Sequence, residues 1–217
     1  PKPQNPELME IYIQYTYKWI NKNNMYLDIK KAFDTVPHKR LLEKLRSYGI
    51  KGRIHDWIKN FLADRKQSVQ VNETRSQTSD VGSGVPQGSV LGPTLFVIYI
   101  NDIPESINSS ILLYADDSKL FRPLTCTDDV EWIQRDLNEL QNWSEKWLLK
   151  FHPDKCQMMR IGVRQDGKAD CYMDTENSSI KLKWSTCERD LGDHVDSQLK
   201  FQKEIQNRIK KGNTIVG

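Results

Sequence analysis

Ile111-Leu-Leu-Tyr-Ala-Asp-Asp-Ser-Lys-Leu-Phe121 is the stretch that decides the fold. Two short apolar runs, Ile111–Tyr114 and Ser118–Phe121, flank Ala-Asp-Asp. Apolar runs of this length bounded by a turn signal predict a strand, a tight hairpin and a second strand. The tip places Asp116 beside Asp117. Aspartate is favoured at turns for its own hydrogen bonding, so the pair has a plain structural explanation. It also has a chemical one, because two adjacent carboxylates repel unless a cation lies between them.

Outward from this hairpin, Met25 to Ile29 reads as a short buried strand carrying Asp28 between Leu27 and Ile29. A third carboxylate closing an apolar strand suits a shared divalent-ion site. Hard cations such as Mg2+ take carboxylate oxygens together with substrate phosphates, and paired ions clamp in-line phosphoryl transfer. Helices are predicted from Pro37 to a cap at Gly49, over Ile54–Leu62, from Leu91 to Ile100, from Asp128 to Lys150, and from Phe201 to Val216. The apolar spacing Ile54, Trp57, Ile58, Phe61, Leu62 is amphipathic, and Trp57, Trp143 and Trp147 are expected in the core. Ser68–Val71, a turn at Asn72–Ser76, and segments at Lys155–Ile161 and Ile180–Val195 supply further strands. Mixed helices and hairpins predict an α+β fold, an antiparallel sheet with helices packed on one face.

Gly82-Ser-Gly-Val-Pro-Gln-Gly88 is a loop. Its glycine spacing is one residue too long for a dinucleotide fingerprint and it holds no P-loop lysine. Glycine here permits either a flexible exit or a close backbone approach to a ligand.

Hydrophobic residues make up 37% of the 217 and charged residues 28%, as in a folded globular domain. The net charge of +3 allows a nucleic-acid partner without arguing for one. The cysteines at 126, 156, 171 and 187 show no C-x-x-C spacing, which speaks against zinc, and are expected to be reduced thiols. No apolar run reaches membrane-spanning length, and no secretory leader is visible. The chain starts at Pro1 and is expected to be a fragment or a processed product.

These segments, in this order, resemble reverse transcriptases of non-LTR retrotransposons, the jockey-like group. Tyr26-Leu-Asp-Ile-Lys-Lys-Ala-Phe-Asp-Thr-Val-Pro-His-Lys-Arg40 is similar to the first catalytic palm motif, and Ser83-Gly-Val-Pro-Gln-Gly-Ser-Val-Leu-Gly-Pro93 to the next. Tyr114–Asp117 resembles the metal-binding turn. Trp143–Gly162, with Phe151-His-Pro-Asp-Lys-Cys156, resembles the following palm segment, and Arg189-Asp-Leu-Gly192 the primer grip. The resemblance implies a polymerase palm over 25–195, a remnant of fingers or a linker over 1–24, and the start of a thumb over 196–217. It implies RNA-directed DNA polymerisation from dNTPs on an RNA template and a DNA primer. The metals would be two Mg2+ ions, with Mn2+ able to substitute, and the setting nuclear.

Residue by residue, the resemblance implies that Asp28, Asp116 and Asp117 hold the metals. Phe33 gates against a 2′-hydroxyl, while Gln87 and Gly88 meet the nucleotide. Lys155 is a candidate proton donor to pyrophosphate, and Asp190, Leu191 and Gly192 grip the primer. Asp34 is expected to cap locally rather than bind metal. With fingers reduced and thumb cut short, the chain alone is expected to polymerise poorly. The alternative reading is an inactive remnant that binds nucleic acid or a protein partner. A different two-metal phosphotransferase fits less well, since a nuclease needs neither Phe33 nor the Pro-Gln-Gly loop.

Overall fold

The computed structural model describes residues 22–123, 128–162, 170–175 and 178–216. Residues 1–21 and Cys126 lie outside them. The first strand, β1 (Lys22–Asp28), starts earlier than the apolar pattern suggests, because Asn23 and Asn24 are buried within it. A single turn, α1 (Ala32–Thr35), follows; at four residues it is too short to leave a periodic signature. α2 (His38–Ser47) begins after Pro37 and ends on Gly49 at φ 84°, where Gly49 N–H and Ile50 N–H return to the Arg46 and Leu45 carbonyls. That is the glycine-capped ending expected there.

α3 (Gly52–Leu62) corrects one expectation. Ile58 and Leu62 are buried, but Ile54 and Trp57 are 65% and 59% exposed. The apolar stripe is wider than the single contact surface α2 offers, so Trp57 stacks on Phe61 at 5.9 Å and faces solvent. Next comes a narrow two-tier hairpin: β2 (Lys66–Gln67) pairs with β5 (Ser79–Asp80), and β3 (Gln70–Val71) with β4 (Thr74–Arg75). Its turn is shorter than Asn72–Ser76, since the return strand starts at Thr74.

α4 (Leu91–Ile100) is the predicted apolar helix. β6 (Ser110–Tyr114) and β7 (Asp117–Pro123) form the predicted hairpin. α5 (Asp128–Trp147) ends where Leu148 takes φ 55°, three residues short of Lys150. β8 (Gln157–Ile161) starts two residues after Lys155, because the Lys155 and Cys156 amides turn back to the His152 carbonyl. The predicted strand region from Ile180 breaks into β10 (Ser179–Lys181), β11 (Lys183–Trp184), β12 (Cys187–Asp190) and β13 (Asp193–Asp196). An unforeseen β9 (Tyr172–Asp174) pairs with β10. α6 (Gln202–Val216) closes the chain.

The main sheet runs β11-β8-β1-β7-β6. It is antiparallel except for the parallel β11–β8 pair. Side chains alternate across a strand. Met25 and Leu27 of β1 and Leu120 of β7 therefore enter the core, with Leu95, Phe96 and Tyr99 of α4 and Ile133, Leu137 and Leu140 of α5. The opposite row of β1, Tyr26 and Asp28, is left for chemistry. One buried cation braces the helices: Lys44 of α2, 2% exposed, pairs with Asp102 at 2.5 Å. It also lies over the rings of Trp147, Tyr99 and Trp143 at 3.9, 4.8 and 4.8 Å. Burial lowers its pKa to about 8, against the opposing pull of Asp102.

Candidate active site

The register between β1 and β7 sets Asp28 directly opposite Asp117. Opposed residues of an antiparallel pair have Cα atoms about 4.5–5.5 Å apart and share a face. Two carboxylates that lie 89 positions apart in the chain thus become neighbours. On the far side of β7, Tyr114 pairs with Asp117. The turn between them is only Ala115-Asp116, shorter than the Ala-Asp-Asp expected, because Asp117 is already the first strand residue. Ala115 holds φ 52°, a left-handed conformation that costs a non-glycine residue about 1–2 kcal/mol.

A second segment fixes Asp28 from below. Its N–H donates to Cys156 Sγ at 3.4 Å, and its carbonyl accepts from His152 N–H at 2.8 Å. Lys30 N–H donates to the Lys150 carbonyl, and Ile29 bridges Phe151. The Phe151–Cys156 loop therefore clasps the end of β1. Burial pushes the Cys156 thiol up to about 11, keeping it an uncharged acceptor. From the same loop, Lys155 places its ammonium 3.7 Å from an Asp28 oxygen.

The β12–β13 hairpin stands over this corner. Its turn is Leu191-Gly192, with φ 48° and 95°; Leu191 is 61% exposed. Two consecutive positive φ values make a turn whose twist matches its strands, usually served by Asn-Gly. An exposed leucine strained into that position is the kind of outlier found at functional sites. The hairpin is tied down by an ion pair between Lys119 and Asp190. Lys119, 8% exposed, also lies 4.8 Å above the Tyr26 ring. Asp28, Asp117, Lys119, Lys155, Asp190 and Leu191 line one cavity of about 630 Å³.

The charge balance of this corner is negative. The Asp117 carboxyl is pushed up by desolvation first, then by Asp116, Asp190 and Asp28, with only Arg189 opposing. A donor set of repelling carboxylates fits a divalent cation. Among the described residues, no three acid, His or Cys side chains stand as a closed metal cage. An Mg2+ site completed by substrate phosphates needs none.

Gln87 does not line the carboxylate cavity. It lines a second cavity of about 700 Å³ with Lys31, Asp34, Arg65 and Lys66. Gly88 follows it, exposed, at φ 77°. Phe33 stacks on Phe96 at 4.6 Å, half-buried between α1 and α4. Asp34 makes no helix cap, contrary to expectation; its Oδ1 accepts from Gln87 Nε2 at 2.9 Å. Lys119, Tyr26 and Cys156 escaped the sequence reading. Lys119 was accessible in principle, since it stands two residues from Asp117 on a strand and must share its face.

The family model described as reverse transcriptase (RNA-dependent DNA polymerase) matches residues 9–202. The RNA-directed DNA polymerase from mobile element jockey of Drosophila funebris is 31% identical over 97% of this chain. The jockey polymerase of Drosophila melanogaster is 30% identical over 84%. The chain spans only 25% and 20% of those two relatives. Among solved structures, apo telomerase from Candida tropicalis, truncated from its C-terminal domain, superimposes with a TM-score of 0.54. The match covers 89% of this chain and 37% of that one at 13% identity, a likeness of fold alone. No helix among the described residues is long and apolar enough to cross a membrane. A palm-type sheet, carboxylates joined across β1 and β7, and a family match over most of its length show that this chain belongs to the reverse transcriptase family.

Proposed function

We propose that this chain is the palm of an RNA-directed DNA polymerase of a mobile element, adding dNTPs to a primer 3′-hydroxyl on an RNA template. The observation that carries this reading is the cross-strand pairing of Asp28 with Asp117, next to Asp116 at the hairpin tip. In this reading residues 25–195 form the palm, 196–217 open the thumb, and 1–24 are a remnant of fingers or a linker. The polymerase works in the nucleus, where its DNA primer lies.

Asp28, Asp116 and Asp117 are the residues that would hold two Mg2+ ions, with Mn2+ able to replace them. Bound there, such ions would supply Lewis-acid activation of the 3′-hydroxyl and charge neutralisation at the triphosphate. The protein's own part is positioning, which dominates phosphoryl transfer. Phe33 floors the sugar and excludes a 2′-hydroxyl. Gln87 and Gly88 orient the nucleotide. Asp190, Leu191 and Gly192 press on the primer end. Lys155, 3.7 Å from an Asp28 oxygen, is the candidate proton donor to pyrophosphate.

The test is primer extension on an RNA template with Mg2+ or Mn2+, using this chain and a longer protein that contains it. RNA-templated synthesis abolished by Asp116→Ala is the expected result for the longer protein, with little synthesis by residues 1–217 alone. Template binding without any Asp116-dependent synthesis in either protein would overturn the polymerase reading in favour of a binding role.

A further inference from the structure

The loop that carries Gln87 is stitched to the turn after Asp28 through Ser83, Gly84, Val85 and Gln87. Ser83 Oγ donates to the Asp34 carbonyl at 2.9 Å. Gly84 N–H donates to the Val36 carbonyl at 2.8 Å, and Val85 N–H to the Phe33 carbonyl at 2.7 Å. His38 Nε2 lies 2.8 Å from the Gly84 carbonyl. A carbonyl only accepts, so that nitrogen carries the proton. A Cβ on Gly84 would come within 2.8 Å of the Asp34 Cα, the Asp34 carbonyl oxygen and the Phe33 carbonyl oxygen. The two backbones are therefore in direct contact, and the loop moves with the turn.

One of these contacts reaches beyond the backbone. Gln87 Nε2 donates to Asp34 Oδ1 at 2.9 Å. A carboxylate has only acceptors, whereas the amide nitrogen has two N–H groups. Asp34 thereby dictates which way the amide faces: one N–H is taken, and the second N–H and Oε1 remain to meet a ligand. Both residues are exposed. A solvated hydrogen bond between them adds little to folding stability. Its consequence is orientation.

We infer that Asp34 is a positioning residue for the incoming nucleotide, acting through the Gln87 amide. The inference rests on the reading of Gln87 as a nucleotide contact. It separates two aspartates six residues apart: Asp28 for the metals and Asp34 for the base-and-sugar side of the substrate.

The experiment is steady-state primer extension with a longer protein that contains this chain. Asp34→Ala is expected to raise the dNTP KM roughly three- to tenfold, with primer–template KM and melting temperature unchanged. Asp34→Asn keeps an acceptor oxygen for Gln87 Nε2 and should restore the dNTP KM to within about twofold. In a Gln87→Ala background, Asp34→Ala should add nothing, as for residues acting as one unit. If Gln87→Ala raises the dNTP KM and Asp34→Ala does not, the inference is wrong while the role of Gln87 stands. If Gln87→Ala leaves the dNTP KM unchanged, both fall. Should Asp34→Ala fail to fold, Asp34→Glu takes its place. Its carboxylate lies one methylene further out, and an unchanged dNTP KM there also overturns the inference.

Discussion

The carboxylate corner and the Gln87 loop hold their side chains by different means. Asp28 and Asp117 are placed by a ladder: seven residues of β1 are paired with seven of β7, and β8 flanks β1 on its other edge. No single side chain decides where those two carboxylates stand. The Gln87 loop has no ladder. It depends on a few backbone contacts to residues 33–36, on His38, on Asp34, and on glycines that allow close approach. The difference predicts that the placement of the carboxylates tolerates mutation of their neighbours, while the Gln87 loop is sensitive to single substitutions around it.

The sharpest way to test this contrast is to remove charge without touching the ladder. Asp117→Asn should lower RNA-templated extension by about a thousandfold or more, the scale of losing electrostatic stabilisation in phosphoryl transfer. The fold should not suffer. Because the folded Asp117 carboxyl is pushed above its ordinary 3.8, the folded state holds its proton longer than the unfolded one. Stability from this group is therefore lost as pH rises through the window above 3.8 and regained on acidification. Asp117→Asn should remove that dependence and raise the metal-free melting temperature at neutral pH. Thermal melts across pH, with and without Mg2+, check both signs.

Gly84→Ala is the matching break in the loop. A Cβ there meets backbone at 2.8 Å, and φ 90° suits glycine. The loop should be displaced, with a loss of about 2–3 kcal/mol in stability and on the order of a hundredfold in extension rate from misplacement. Denaturant melts and initial rates measure the two. An unaffected rate would show that the loop is not part of the nucleotide site.

Phe33→Val gives a narrower effect. Loss of the ring that stacks on Phe96 opens space at the proposed sugar gate. Discrimination against ribonucleotides should fall roughly tenfold or more, the scale on which pocket shape separates substrates. Parallel extension with ribo- and deoxynucleotides reads this directly. Lys119→Met is milder still. It frees Asp190 and slackens the β12–β13 hairpin, so the primer–template KM should rise a few-fold while the dNTP KM holds. The smallest effect belongs to Trp57→Ser on the open face of α3, expected to change stability by less than about 0.5 kcal/mol.

Much of this was legible locally. The Ile111–Phe121 hairpin, the apolar helix at Leu91–Ile100 and the glycine cap of α2 each follow from a pattern shorter than one element. Legibility failed where burial and polarity part company. Asn23 and Asn24 are polar yet enclosed between β7 and β8, which hid the start of β1; Trp57 is apolar yet exposed, because α3 has more apolar surface than its neighbour covers. The fragmentation of 179–196 into short strands was also hidden, since two- to four-residue strands have no period to read.

By itself the sequence determined the longer helices and the central hairpin, that Asp116 and Asp117 stand at its tip, and that the acid-bearing motifs occur in polymerase order. Local hydrophobic period and turn chemistry act over a handful of residues, so they can be read along the chain. Only the tertiary structure decided that Asp28 faces Asp117, that Lys119 holds Asp190, and that Asp34 holds Gln87. Those pairings span 89, 71 and 53 positions. They are set by which faces of distant elements can be buried together in one register, and a one-residue slip in β1 would have turned Asp28 into the core.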